Sequence, residues 1–203
     1  MNKEDFFSKK IKEIFENSRT VIDIGGGLRV SPKRSNRYDK SREWLSQYIK
    51  KVDYKILDIV SDYHPDIVGD IHNLPFSDNS CDAIICIAVL EHVEDPIRAS
   101  EEIFRVLKPG GRAYIYVPFL FYYHAKKGYY KDYWRFTGDC IDLLFKKFSV
   151  MEKESVRGAI ETWIKLSPLG RINFVLWLAR KMDIIFHKNK TQQVSAYNIF
   201  LVK

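Results

Sequence analysis

The sequence predicts a three-layered α/β domain built around a mostly parallel sheet. Two observations carry this expectation. Short apolar runs bounded by turn residues alternate with segments of helical periodicity, the pattern of repeated strand–helix–strand units. A glycine run, Gly25 to Gly27, directly follows the first of those strands, a place where such folds bring backbone close to a ligand.

Taken in order, Phe7, Ile11, Ile14 and Phe15 recur at helical spacing and predict an amphipathic helix over 3–17. "TVIDI" reads as a buried strand ending in the glycines. "LRVSPKRSNRYDKS" is polar, basic and broken by Pro32, hence a long loop, and "REWLSQYIKK" reads as a helix. "YKILDI", "DIVGD" and "DAIICIAV" follow as strands. Pro96 opens a helix with Ala99, Ile103, Val106 and Leu107 on one face, which "KPGG" stops. "RAYIYVP" is a fifth strand, "GDCIDLLFKKF" a helix and "SVMEKESV" a sixth strand. Residues 160–187 read as helical, and "SAYNIFLVK" is a final strand expected to enter antiparallel.

The 203 residues are 46% hydrophobic and 29% charged, as expected for a folded chain with a single core over 1–203. The net charge of +7 fits a solubilising surface or an anionic partner. Cys81, Cys86 and Cys140 lack paired metal-ligand spacing, so they read as reduced thiols and no metal site is expected. The opening residues carry no apolar leader and no apolar run is long enough to span a bilayer, which predicts a cytoplasmic chain.

Ligands of open α/β sheets bind beyond the carboxyl ends of the strands. The first three strands end near Asp23, Asp58 and Asp70, and Glu91 and His92 follow the fourth. A dinucleotide fingerprint would need a third glycine where Val30 stands, and a phosphate loop would need a Gly-Lys-Ser/Thr that does not follow. S-adenosylmethionine has no phosphate; it carries an ammonium, a sulfonium, a ribose diol and an adenine amine. Carboxylates suit those groups, with Asp23 toward the ammonium, Asp58 toward the diol and Asp70 toward the amine.

"VIDIGGG", "LDI", "GDIHNLPFSDNSCDAIICIAVLEHVEDP" and "EEIFRVLKPGGRAYIYVP" together resemble the successive motifs of class I S-adenosylmethionine-dependent methyltransferases, and among them the type 11 group. The resemblance covers roughly 20–150. It implies a Rossmann-like three-layer α/β/α sandwich, with seven strands in the order 3-2-1-4-5-7-6 and strand seven antiparallel. It also implies a cofactor site formed by Asp23, Gly25, Gly27, Asp58, Ile59, Asp70, Ile71, Ile87 and His92, with S-adenosylhomocysteine as product. The long basic loop after the glycines departs from the family pattern and leaves Arg29 without an assigned role.

Residues 117–139 are far richer in aromatics than a connecting loop requires, and 118–137 is expected to form the substrate side. Its "DYWRFT" resembles a type 11 subgroup associated with sugars and cell-surface glycans. Aromatic faces suit sugar rings, so Tyr123, Tyr133 and Trp134 are expected at the acceptor, with Arg135 anchoring an anionic part. A hydroxyl acceptor needs a base, for which His124 is the first candidate and Asp132 the second. The expected activity is therefore O-methylation of a small-molecule, sugar or glycan acceptor. Its rivals are a nicotinamide-dependent reductase and a non-catalytic cofactor-binding subunit. Nucleic acid is disfavoured, because bases and aromatics do not interleave and Asn-Pro-Pro-Tyr is absent. A helical insertion at about 160–190 carries an apolar stripe flanked by basic residues over 168–190. It is expected either to pack on the sheet or a second subunit, or to lie on the inner membrane face.

Overall fold

The computed structural model describes residues 5–30 and 38–203. Seven strands form one sheet: β1 (Thr20–Ile24), β2 (Asp53–Asp58), β3 (Ile67–Val68), β4 (Cys81–Ile87), β5 (Leu107–Pro118), β6 (Val150–Val156) and β7 (Ala196–Val202). Their order is β3-β2-β1-β4-β5-β7-β6. β7 runs antiparallel to β5 and β6, and the pairs among β1 to β5 are parallel. This is the order expected of the resemblance, and it differs from the 3-2-1-4-5-6 order of dinucleotide folds.

Alternation along the strands makes the three layers. Ile22, Ile84 and Cys86 face α3 (Pro96–Val106) and α4 (Gly138–Leu144) through Ala99, Ile103, Ile141 and Phe145. Val21, Ala83 and Ile85 face the other way, onto Ile11, Ile14 and Phe15 of α1 (Phe6–Glu16). Cys81 and Cys86 are buried in the first cluster, where burial raises both thiols above their ordinary pKa.

Several elements depart from the sequence reading. The helix expected at "REWLSQYIKK" is a 3₁₀ turn, Lys40–Leu45, running into a single turn, α2 (Ser46–Ile49). α3 ends at Val106, just before "KPGG" as expected, but Leu107, expected on the helix face, already pairs with Cys81 in β5, and a register shift follows where Gly110 adopts φ +76°. Residues 160–187 form two helices, α5 (Ala159–Leu166) and α6 (Asn173–Ile185), because Pro168 and Gly170 turn the chain between them. α6 packs on α5, and the two form a helical hairpin. Pro32 and residues 3 and 4 of the expected first helix lie outside the described residues.

Asp82 joins the starts of three strands. One oxygen accepts the N–H groups of Arg19 and Thr20 at 2.9 and 3.0 Å, and the other takes Lys108 Nζ at 2.5 Å. Burial alone would raise this carboxyl. The Lys108 ammonium and the two N–H donors outweigh it and hold the pKa at about 2, below the ordinary 3.8. A depressed carboxyl contributes stability that is present above pH 3.8 and lost as pH falls toward 2. Asp82→Ala is expected to cost on the order of 2 kcal/mol at neutral pH and to flatten stability between pH 4 and 2, measured by denaturant titration across that range.

Candidate active site

The glycine turn after β1 is set by a buried carboxylate. Asp23 is fully buried; it accepts the N–H groups of Gly27 and Leu28 at 3.0 and 3.1 Å and the Tyr54 hydroxyl at 2.6 Å. Asp23 therefore faces the loop backbone and does not line the cavity described below. These contacts with the loop backbone give it the shaping of the turn. Gly25 sits at φ +75°, and a Cβ there would come within 2.5 Å of Val89. A Cβ on Gly27 would meet the Ile87 carbonyl at 2.8 Å, so Gly27 and Ile87 pack on each other behind the turn. Arg42 braces the same turn by donating to the Gly27 carbonyl at 2.8 Å while lying over the Phe7 ring.

A cavity of about 860 Å³ opens at the carboxyl edge of the sheet. Gly25, Asp58, Ile59, Asp70, Ile71 and His92 line its sheet side, all of them expected from the sequence. Asp58 ends β2 and uses one oxygen to accept the Val60 N–H at 3.1 Å. Asp70 caps the 3₁₀ turn Ile71–Asn73 by accepting from His72, whose ring Nδ1 lies 2.7 Å from the same carboxylate oxygen. Across the cavity stand Tyr123 and Tyr133, also expected, together with Lys126, Lys127, Tyr129 and Lys131. Sequence reasoning missed the pair that bridges the two sides: Tyr63 and Tyr129 stack at 5.3 Å, and Lys126 lies over both rings.

The expected acceptor residues Trp134, Arg135, Asp132 and His124 do not line the cavity. Arg135 spends its guanidinium internally, donating from Nε and both Nη atoms to the Phe121, Trp134 and Tyr122 carbonyls and to both Asp132 oxygens. No donor is left for an anionic substrate, so the anchor reading is corrected to a knot that folds the 118–137 segment. Asp132 has a fully buried side chain and also accepts the His124 N–H at 2.8 Å. The Arg135 guanidinium holds its carboxyl down at about 2, which makes it a poor proton acceptor. Trp134 donates Nε1–H to the Val93 carbonyl at 2.8 Å.

Behind the cavity wall His92, His124 and Glu91 meet. Each ring places Nδ1 against a carbonyl, Lys131 at 2.7 Å for His92 and Tyr122 at 2.9 Å for His124. The Nε2 atoms then lie 3.9 and 3.5 Å from the buried Glu91 carboxylate. The Glu91 contact raises the His124 pKa above its ordinary value. Of the two rings His92 lines the cavity and His124 does not, and they meet edge to face at 4.8 Å. The three ligand atoms lie within 4.8 Å of one another. The group also has the donor types that a divalent transition metal takes, which the sequence spacing did not reveal.

Residues 34–115 match a family described as a methyltransferase domain. The 2-methyl-6-phytyl-1,4-hydroquinone methyltransferase of Spinacia oleracea is 31% identical over 107 residues, 48% of this chain and 29% of the relative. The demethylmenaquinone methyltransferase of Paenarthrobacter aurescens is 53% identical over 49 residues, 24% of this chain and 19% of the relative. The matched chain thus spans less than a third of the length of these relatives. A SAM dependent methyltransferase from Archaeoglobus fulgidus shares the fold with a TM-score of 0.60 at 14% identity, over 96% of this chain and 90% of the other. A SAM-dependent methyltransferase from Methanosarcina mazei does so with a TM-score of 0.54 at 14% identity, over 95% and 96%.

The knot in the aromatic segment is testable. Arg135→Lys cannot replace the five-donor fork, so it is expected to cost about 2–3 kcal/mol and to lower the melting temperature. A variant with wild-type melting but a raised KM for an anionic acceptor would return Arg135 to substrate binding.

Proposed function

We propose that this chain, whose fold and 34–115 segment are those of the class I methyltransferases of the type 11 group, methylates a hydroxyl of a small-molecule, sugar or glycan acceptor using S-adenosylmethionine. The observation that carries the reading is the cavity itself, with carboxylates on its sheet side and aromatic rings and lysines opposite. Its volume of about 860 Å³ suits a nucleoside-sized ligand together with part of an acceptor.

The lining residues fit the group chemically. Gly25 brings backbone to the wall, Asp58 offers an acceptor for a diol, and Ile59, Ile71 and Val89 provide apolar surface for a base. Asp70 lies beside them for an exocyclic amine. S-adenosylmethionine supplies the electrophilic methyl on its sulfonium. Asp23 acts at one remove, by fixing the turn that presents Gly25.

On the acceptor side, Tyr123, Tyr129 and Tyr133 offer rings, and Lys126, Lys127 and Lys131 offer cations for an anionic portion. Positioning accounts for much of the acceleration in a displacement at carbon. The hydroxyl proton goes to His92 at the cavity wall, with the Glu91 carboxylate 3.9 Å from His92 Nε2 as counter-ion to the imidazolium that results. This reading moves the first candidate for the base from His124 to its neighbour His92.

Calorimetry with S-adenosylhomocysteine tests the first half of the proposal. Asp58→Ala is expected to weaken binding by about 1.5–3 kcal/mol, and undiminished affinity would remove Asp58 from the ligand. Binding of NAD(P) in place of S-adenosylhomocysteine would return the reductase. A screen of sugar nucleotides and lipid-linked sugars then seeks the acceptor. With it in hand, His92→Ala is expected to lower turnover by roughly 10²–10⁴-fold while S-adenosylhomocysteine still binds. Unchanged turnover would point to an amine acceptor that needs no base. Turnover lost in EDTA and restored by a divalent ion would give Glu91, His92 and His124 to a metal.

A further inference from the structure

The α5–α6 hairpin leaves a large apolar surface open. Ala179 and Asp183 are buried toward α5, whereas Phe174, Trp177, Ile184 and Ile185 follow helical spacing on the opposite side of α6. Phe174 and Ile185 are each 68% exposed and Trp163 on α5 is 69% exposed, far beyond what a solvated helix pair requires. Phe174 and Trp177 stack at 5.9 Å, and Lys181 lies over the Trp177 ring.

The charge on this hairpin is one-sided for a structural reason. Glu161 and Asp183 are the acids between 157 and 195, and both are buried. Asp183 accepts the N–H groups of Ile160 and Glu161 at 2.8 and 2.9 Å, capping α5. Glu161 takes the Arg180 guanidinium at 2.7 and 3.0 Å. With both acids consumed inside, Arg171, Lys181, Lys188 and Lys190 give the surface a positive field around an aromatic face. Among the described residues no helix is long and apolar enough to cross a membrane.

We propose that the α5–α6 hairpin docks the protein on the surface of an anionic lipid bilayer, its aromatic face entering the headgroup boundary and its cations meeting acidic headgroups. Exposed Trp and Phe on a helix flanked by Lys and Arg is the chemistry of interfacial helices. A second copy of the chain is the poorer occupant, because a two-fold contact would set these cations against each other with no exposed acid of the hairpin to meet them. The hairpin also stands beside the site. It leaves the sheet after Val156, which shares a register with Ala196 and so lies at the Pro118 edge of β5, and the Tyr122 hydroxyl of the aromatic segment donates to the Lys165 carbonyl at 2.6 Å. Docking brings the cavity close to a lipid surface. It does not depend on the methyl-transfer reading.

Cosedimentation of the full chain with phosphatidylglycerol–phosphatidylcholine vesicles, against pure phosphatidylcholine vesicles, decides the matter. Binding is expected with the anionic vesicles and to weaken by about tenfold or more at high salt. It should fall likewise in the Phe174→Ser/Trp177→Ser double variant and in Lys181→Glu/Lys188→Glu, with melting temperature and S-adenosylhomocysteine affinity unchanged. Absence of binding at low salt, or equal binding to neutral vesicles, overturns the proposal. A dimer seen by sedimentation velocity and dissociated by Phe174→Ser/Trp177→Ser also overturns it, giving the face to a second copy. Loss of S-adenosylhomocysteine binding in the unmodified protein would count against the function proposed above and leave this one standing.

Discussion

The site depends on one buried carboxylate. Asp23 sits fully out of solvent, where an unpaired carboxylate would be very costly, and three donors converge on it. Two of those donors are N–H groups of the turn after β1, and the third is Tyr54 on β2. The same charge thus fixes the path of the glycine turn and ties it to the neighbouring strand. Arg42 closes the arrangement from outside through the Gly27 carbonyl. Gly25 lines the cavity on a turn bent by a side chain that is not itself among the lining residues.

That division of labour explains which parts of the site the sequence disclosed. Asp23, Asp58 and Asp70 look alike in the sequence, each an acid near the end of a strand. Only Asp58 and Asp70 reach the cavity. The difference is one of position along the strands: Asp23 pairs with Ile56 inside the sheet, whereas Asp58 lies two residues further on at the end of β2 and Asp70 lies beyond β3. The strand order was legible because apolar runs and helical periodicity repeat over many residues and average out local exceptions. Short helical turns were not: the segment read as one helix at "REWLSQYIKK" is a 3₁₀ turn followed by the four-residue α2.

The aromatic segment shows a second limit. Its density led to the expectation of a substrate side, and Tyr123 and Tyr133 stand on the cavity wall. Its polar residues, however, serve the segment's own backbone. Asp132 and Arg135, read from the sequence as a base and a substrate anchor, instead pair with each other. Glu91 with His124, and Tyr63 with Tyr129, meet across long stretches of chain, so only the fold brings them together.

The two margins of the sheet have a consequence for how the molecule behaves when crowded. An uncovered strand offers unpaired backbone groups on which another chain can polymerise. Here one margin is β3, too short to serve as a template, and the other is β6, where Glu152, Lys153 and Glu154 place charge along the ribbon. Growth by strand addition is therefore discouraged at both ends. The liability to self-adhesion passes from the backbone to the helical hairpin, whose greasy rings are exposed. A preparation of this protein should then respond to detergent and salt more than to agents that disrupt cross-β fibrils.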